Sequence, residues 1–597
     1  MGNGVQRMNR VLCEFGRIPL VAIVLGVCWG GSLPAATLDD IGFNRLELEL
    51  GAALSTGNGV AVAQSEAVFS TGGYYPSTTH ADFSGKSFTQ ASGAQTVSTH
   101  ATSVGRSFYG NALSVSPGVT SIANYTATGW LNGDYLRSLT NEFPRTSSAR
   151  VANHSWVSGG FGDEIINSLQ RIDYLVEKDD FIQVAGVNNL AAGGVEAPTS
   201  LFASAFNVIM VGVSEGDHST GAVDVSAPYL AAGKVRPHLV APANQTSFAA
   251  PLAASTAALL IDIGRDHPGL SNGTQLSSAG RSNRTITNAE TSEVIRAALM
   301  AGADRQAITD MSNGFTYNAT SASGLDPRFG AGQLDVYQSY HIVAGGEQDA
   351  LERLNVAGVG MYGFDYEASF KANEVRTYRF SVDEVTREFA ASLAWNVDID
   401  LEPVGLGGVL VDPSVDVRNL NLVLRDVNSG QALATSNGTG DVTENLYIPI
   451  LPKGEYEMIV SGAGYSPTNP WSIEYALAWR FAPSSTPLMG DVNLDGAVSL
   501  VDLVTLQRNL GMSERALWTD GDLNLDGHVD RGDVALLAGA FGGGTLPGGV
   551  VAPGAGGSPG FEPVAIPEPS AVVLAACGAV AMLALRRRGL VMASKSV

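Results

Sequence analysis

The sequence predicts a multidomain protein: an α/β domain with a parallel sheet, then an all-β sandwich, then a small α-helical module and a C-terminal membrane helix. Three observations predict this order. Short apolar runs alternate with Ala-rich helical stretches over residues 37–345, and apolar runs separated by turn signals fill residues 346–484. Two similar Asp-rich units then lie within residues 485–545.

Composition and charge narrow the possible functions. With 45% apolar and 16% charged residues, the chain has the composition of a folded globular protein. The formal net charge of -23 argues against nucleic acid as a partner, because phosphate binding needs clustered Lys and Arg. The three cysteines, at positions 13, 28 and 577, lie in the terminal segments. The domains between these segments contain no cysteine, so no disulfide can stabilise them. The stability of those domains must therefore come from burial of an apolar core, with bound metal ions as a further possible source.

The N-terminal 36 residues have the features of a signal peptide. Arginines precede the apolar run 18–29, and a small-residue stretch ends at Ala36, where we expect cleavage. A retained membrane anchor is the alternative, although the run is short for a spanning helix. We therefore expect export from the cytoplasm.

The C-terminal segment has the features of a second targeting signal. A Gly/Pro-rich linker over residues 546–565 precedes segment 566–597, in which Pro567-Glu568-Pro569 is followed by the apolar stretch 571–585 and three arginines. This order resembles the PEP-CTERM sorting signal, which implies anchoring in the membrane through the C-terminal helix and recognition by an exosortase-type enzyme. A simple tail anchor is the alternative. Either interpretation places the bulk of the protein outside the cytoplasm.

The first domain, residues 37–345, combines short buried-type strands with helices. The clearest strands are expected at residues 60–63, 181–185 and 208–213, and the clearest helices at residues 251–263 and 291–300. Strands of this length and apolarity alternating with helices predict a parallel sheet covered on both faces.

The second domain, residues 346–484, has the sequence pattern of an all-β domain. Its expected strands cover residues 370–382, 420–424, 446–450 and 456–460. Turn signals such as Asn437-Gly438 separate them, which is typical of an antiparallel sandwich.

The Asp-rich units predict two calcium sites. Each places oxygen-bearing side chains at loop positions 1, 3, 5, 9 and 12, with Gly at position 6 for the sharp turn, and an apolar helical pattern follows. These residues are Asp491, Asn493, Asp495, Ser499 and Asp502 in the first loop and Asp522, Asn524, Asp526, Asp530 and Asp533 in the second. A hard cation needs six or more oxygen ligands, and this spacing lets the side-chain oxygens of one loop surround a single centre.

The duplicated loop–helix unit resembles a type I dockerin. That resemblance implies calcium as the cofactor and a cohesin module of another protein as the partner. A calcium-stapled stability module without a partner is the alternative interpretation.

Three separated segments of the first domain carry residue types suited to nucleophilic catalysis. Ser247 stands at the predicted start of a helix, where unpaired N–H groups help to stabilise an oxyanion. Pro251 is expected in the first turn of that helix, where its missing N–H costs nothing. His100 opens an Ala/Ser/Gly-rich stretch and can reach a serine as general base, and Glu66 ends a strand-like run.

In chain order the three segments, Gly59 to Glu66, His100 to Gly105 and Thr246 to Pro251, resemble the subtilase family of serine peptidases. The resemblance implies Ser247 as nucleophile, His100 as general base and Glu66 as the acid that holds the imidazole. The family has Asp at the position of Glu66 and Gly at the position of Gln245.

The resemblance also implies residues around the substrate. Residues 151–156 are similar to the substrate-lining strand, which implies Ser155 at the edge of the substrate site. Residues 184–188 are similar to the segment with the oxyanion-hole asparagine, which implies Asn188, with Asn189 as the fallback. The implied function is an exported, cell-surface serine endopeptidase acting on protein or peptide substrates. A catalytically degenerate adhesion or scaffold protein, docked through the dockerin-like module, is the alternative.

Overall fold

The structure is a computed structural model in two compact units, which divide between Ser485 and Thr486. It describes residues 36–68, 72–158, 163–190, 200–278, 281, 283–309, 315–353, 356, 358–383, 386–404, 408–411, 415–464, 471–481, 489–490, 492, 498–512, 521–524 and 528–540. The predicted signal peptide up to residue 35, the linker 546–565 and the tail 566–597 lie outside the described residues.

The first unit is built around a parallel sheet. Its strands are β1 (Ala61–Glu66), β2 (Ser87–Gln90), β3 (Ser121–Thr126), β4 (Ala149–His154), β5 (Ile182–Gly186), β6 (Ile209–Val213) and β7 (Leu239–Ala241). Within the described residues they lie in the order β2-β3-β1-β4-β5-β6-β7, and each neighbouring pair is parallel. The predicted α/β domain with a parallel sheet is confirmed.

Helices cover the sheet on both faces. They are α1 (Ala36–Asp40), α2 (Phe43–Leu50), α3 (Thr99–Tyr109), α4 (Asp163–Asp179), α5 (Thr246–Asp266), α6 (Ser292–Gly302), α7 (Gln306–Thr309) and α8 (Val336–Ala344), with a small hairpin of β8 (Thr274–Ser277) and β9 (Arg284–Thr287). Because strand side chains alternate in direction, Val62 and Val184 join the core that contains α5. Ala63 and Ala185 join the other core, with Leu169 of α4.

Helix α5 is the central helix of this unit. By length and composition it is the helix, among the described residues, that could cross a membrane, but 89% of its most apolar stretch is buried within the domain. A core helix of a folded domain has these same properties. The membrane helix predicted at residues 571–585 lies outside the described residues.

The rest of the first unit consists of antiparallel sheets. The strands are β10 (Tyr362–Lys371), β11 (Val375–Val382), β12 (Thr386–Ala394), β13 (Leu401–Val404), β14 (Gly408–Val411), β15 (Leu420–Asp426), β16 (Ala432–Ser436), β17 (Thr443–Leu451), β18 (Gly454–Gly462) and β19 (Ser472–Arg480). One four-stranded sheet has the order β10-β19-β12-β17 and the other β11-β18-β15-β16, with β13 and β14 paired separately. Phe380 of one sheet stacks on Phe389 of the other, with ring centroids 5.6 Å apart, so apolar side chains of both sheets share a core.

One predicted strand is divided in the structure. The apolar run 370–382 forms the end of β10, a turn and the whole of β11, and these two strands belong to different sheets. The turn is closed by the Glu374 N–H, which donates to the Lys371 carbonyl at 2.9 Å. No Gly or Pro marks this turn, which is why the pattern read as one strand.

The sandwich packs directly on the α/β domain through α6. Arg296 of α6 is buried and donates to the Trp395 carbonyl at 2.6 Å, and the Asn396 amide donates to Glu293 at 2.7 Å. Farther along the interface Arg236 and Asp441 form a fully buried ion pair. Because breaking such a pair leaves an uncompensated buried charge, loss of either partner would destabilise the contact between the α/β domain and the sandwich.

A buried carboxyl group in the sandwich gives a testable pH dependence. Burial raises the pKa of Asp365 to about 8, although the Tyr378 hydroxyl donates to its carboxylate at 2.6 Å. Between its unfolded pKa of 3.8 and the folded value, the folded chain holds a proton that the unfolded chain has lost. Stability from this group is therefore complete below pH 3.8 and falls as pH rises to about 8.

Asp365→Asn should remove that dependence. The slope of unfolding free energy against pH should become less negative by up to about 1.4 kcal/mol per pH unit, measured by denaturant unfolding between pH 5 and 7.5. The matched control is Asp383→Asn, an exposed aspartate of the same sandwich. Equal slopes for wild type and Asp365→Asn would contradict the prediction.

Within its described residues, the second unit contains two short helices, α9 (Leu500–Asn509) and α10 (Arg531–Ala540). They lie where the sequence predicts an apolar helix after each Asp-rich loop. Leu506 and Leu537 are fully buried, which makes them the core of this small unit.

Candidate active site

The strand order reverses at β1, which predicts a ligand site at one edge of the sheet. From β1 the chain moves to one side for β2 and β3, then returns past β1 to β4 and continues in the opposite direction. In parallel sheets, ligands bind outside the carboxyl ends of the strands at such a point of reversal. Glu66 is the last residue of β1 and Ser155 directly follows β4, so both lie at this edge.

Glu66 and His100 form a close pair there. The Glu66 side chain is 1% exposed, and its Oε2 lies 2.9 Å from His100 Nδ1. His100 is the second residue of α3, which starts after Ser98, whose Oγ caps the helix by accepting from the Ala101 N–H at 3.2 Å. A proton on Nδ1, directed at the carboxylate, makes Nε2 the basic nitrogen that a general base requires.

Ser247 lies at the start of α5, as predicted. It is the second residue of the helix, so its N–H is one of the first four, which have no carbonyl partner within a helix. The neighbouring Phe248 ring lies 5.7 Å from the His100 ring, centroid to centroid. This contact brings the imidazole to the end of α5 that carries the serine.

Pro251 does not lie in the first turn, and this expectation was wrong. The helix begins at Thr246, so Pro251 is its sixth residue and has no N–H for the Ser247 carbonyl four positions earlier. Ser155 replaces the missing donor, because its Oγ donates to the Ser247 carbonyl at 2.8 Å. The residue predicted at the edge of the substrate site therefore also holds the backbone of the serine.

The two asparagines after β5 have different neighbours. The backbone N–H of Asn188 donates to Ser219 Oγ at 3.1 Å, whereas Asn189 Oδ1 accepts from the Thr246 N–H at 2.8 Å and the Thr246 hydroxyl at 3.1 Å. These two contacts hold the Asn189 side chain at the first residue of α5, next in sequence to Ser247. The fallback residue of the sequence prediction thus has the contact to the serine-bearing segment.

Sequence reasoning missed Gln64, which contacts Glu66 directly. Its Nε2 donates to Glu66 Oε1 at 2.8 Å. The signal was a glutamine inside an otherwise small and apolar strand, two positions before the acid and therefore on the same face.

The predicted calcium ligands lie only partly within the described residues. Asp491, Asn493, Asp495 and Asp526 lie outside them, while Ser499, Asp502, Asp522, Asn524, Asp530 and Asp533 are described. In the described part of the second unit, no three His, Cys, Asp or Glu side chains are grouped as for a metal ion. The oxygen donors of the loops nevertheless match the chemistry of a hard cation.

The two loops share one internal geometry. In each, the carboxylate at position 12 is buried and accepts backbone N–H groups from positions 2 and 9 of its own loop. The contacts are Val492 N at 2.8 Å and Ser499 N at 2.7 Å for Asp502, and Leu523 N at 2.8 Å and Asp530 N at 2.8 Å for Asp533. The position-12 aspartate therefore links positions 2 and 9 of each loop.

Residues 489–542 match the Dockerin type I domain family model. The dockerin region predicted from the repeated loops is confirmed. None of the curated proteins matches this chain in sequence.

Similar solved structures include subtilisin-like serine proteases. The patellamide maturation protease PatA is 16% identical with a TM-score of 0.31, over 49% of this chain and 98% of that chain. A cold adapted subtilisin-like serine proteinase is 16% identical with a TM-score of 0.27, over 43% and 86%. The epidermin leader peptide processing serine protease EpiP from Staphylococcus aureus is 13% identical with a TM-score of 0.32, over 51% and 80%. Because these TM-scores are low, activity has to be argued from the side chains of this chain.

Proposed function

We propose that this chain is an exported serine endopeptidase that hydrolyses peptide bonds in proteins through Glu66, His100 and Ser247. The observation that carries the proposal is the 2.9 Å contact between the buried Glu66 carboxylate and His100 Nδ1. It supports the role of the imidazole as a base at the end of α5, where Ser247 lies. The shared location of these groups at the point of strand reversal adds to this support.

The roles follow from the chemistry of the groups. Ser247 Oγ attacks the carbonyl of the peptide bond while His100 Nε2 accepts its proton, which it later returns to the leaving amine. Glu66 holds the Nδ1 proton and stabilises the imidazolium that forms. The negative oxygen of the intermediate is bound by the Ser247 N–H and by an asparagine amide. For that amide we propose Asn189, whose side chain contacts Thr246, with Asn188 as the other candidate.

The test is covalent labelling with a fluorophosphonate, which reacts only with an activated serine. We expect one label per folded chain, located on Ser247 by mass spectrometry of the peptides. Heat-denatured protein and the variant Ser247→Ala are the controls, and both should remain unlabelled. An unlabelled folded wild type would reject the peptidase and favour the degenerate scaffold protein.

The dockerin region extends the proposal beyond catalysis. We propose that its two loops bind calcium through Asp, Asn and Ser oxygens and that the helices dock on a cohesin module of another protein. The bound ion would supply the positive charge that holds these oxygens around one centre. The signal peptide and the PEP-CTERM-like tail, both outside the described residues, would direct the protein to the cell surface through an exosortase-type enzyme and a C-terminal membrane helix.

A further inference from the structure

Gln64 connects the strand that carries Glu66 with the helix that carries His100. Its amide nitrogen donates to Glu66 Oε1 and to the Ala101 carbonyl, both at 2.8 Å. Ala101 directly follows His100 in the first turn of α3. One buried amide therefore bonds to both elements that must stay in register for the Glu66–His100 contact.

Tyr109 fixes the orientation of that amide. Its hydroxyl, at the last residue of α3, donates to Gln64 Oε1. Burial, and then the charge of Glu66, raise the pKa of Tyr109 well above its usual value, so it remains a donor. A flipped amide would place the Gln64 oxygen against two acceptors, the Glu66 carboxylate and the Ala101 carbonyl.

A glutamate needs such a support more than an aspartate does. Glu has one more rotatable bond between backbone and carboxylate, and this bond must be fixed for the carboxylate to face the imidazole. The His100 contact occupies one oxygen of Glu66, and Gln64 binds the other. Two contacts on two oxygens fix the plane of the carboxylate as well as its position.

We propose that Gln64 is a positioning residue that orients the Glu66 carboxylate toward His100, and that Tyr109 holds Gln64 in the required orientation. This inference rests on the proposed peptidase function. Support from Gln64 would allow Glu66 to act at a position where the subtilase family has Asp.

Gln64→Met tests the inference, because methionine keeps the length and apolar volume but removes both donors. We expect kcat to fall roughly 100-fold, as for a misplacement of about 1 Å, with KM within about twofold of wild type. The matched control is Gln183→Met, since Gln183 is an equally buried glutamine that contacts His154 and the Phe181 carbonyl. That variant should lose stability while its kcat stays near that of wild type. A Gln64→Met kcat within twofold of wild type would overturn the inference.

Two further variants separate positioning from general damage to the fold. Tyr109→Phe should lower kcat by less than Gln64→Met, because the amide keeps its donors but loses the contact that orients it. In a Glu66→Ala background, Gln64→Met should cause almost no additional loss, since it acts through the carboxylate. An equal loss in both backgrounds would overturn the inference.

A spectroscopic readout distinguishes this inference from the proposed function. The His100 Nδ1 proton should give a downfield NMR resonance that shifts in Gln64→Met and stays in Gln183→Met. An unshifted resonance would overturn the positioning role whatever the activity. A shifted resonance in a protein that no fluorophosphonate labels would support the positioning of His100 and reject the peptidase.

Discussion

Glu66→Gln is expected to lower kcat about 10⁴-fold while the protein stays folded. The amide has the shape of the carboxylate but no charge, so it cannot stabilise the imidazolium. Its NH₂ would also donate to His100 Nδ1, and that places the imidazole proton on Nε2, where it blocks proton transfer from Ser247. The magnitude is that measured for the equivalent acid-to-amide change in a Ser-His-Asp triad.

The measurement is steady-state hydrolysis of a peptide or casein substrate, with far-ultraviolet circular dichroism to verify folding. Glu290→Gln is a suitable control, because Glu290 is also buried and binds Arg150 at 2.8 Å, away from His100. This control should lose stability and keep its kcat. A Glu66→Gln enzyme within tenfold of the wild-type kcat would remove Glu66 from the mechanism.

The fold class of the first domain could be predicted because burial on both faces leaves a clear pattern. Strand β6 is fully buried and apolar, as expected for a parallel strand under helices. Helix α5 was expected at residues 251–263 and extends further in both directions, to Thr246 and Asp266. Its start was misplaced because a proline usually marks a first turn, and nothing local shows that Ser155 Oγ donates to the orphaned Ser247 carbonyl.

Contacts between distant segments were the part that the sequence could not reveal. Arg236 and Asp441 are 205 positions apart, and nothing in the sequence around either residue shows that the two form an ion pair. The choice between Asn188 and Asn189 likewise depends on which side chain meets Thr246, a contact across 57 positions. Motif order predicts that Glu66 and His100 act as a pair, and they are in contact, whereas the contact of Gln64 requires the geometry of the strand face.

The second large effect is expected in the dockerin region when calcium is removed. The region matched by the family model is short enough that its core alone supplies little stability, and it contains no cysteine. Each loop contains several aspartates, among them Asp502 in the first loop and Asp533 in the second. A divalent cation would relieve the repulsion between their carboxylates. Chelation should therefore unfold α9 and α10 and leave α5 intact.

Hydrogen exchange of the full chain in calcium and in EDTA measures this effect. Amides of α9 and α10 should lose protection in EDTA, while those of α5 serve as the internal control because α5 belongs to the first unit. Calcium titration by native mass spectrometry should give two ions for the wild type and one each for Asp502→Ala and Asp533→Ala. Unchanged protection in EDTA would show that the loops fold without the cation. Two ions in either variant would show that calcium binding does not need the position-12 carboxylate. Each position-12 aspartate accepts an N–H from position 2 of its own loop. We therefore expect the two single variants to lose nearly equal affinity for calcium.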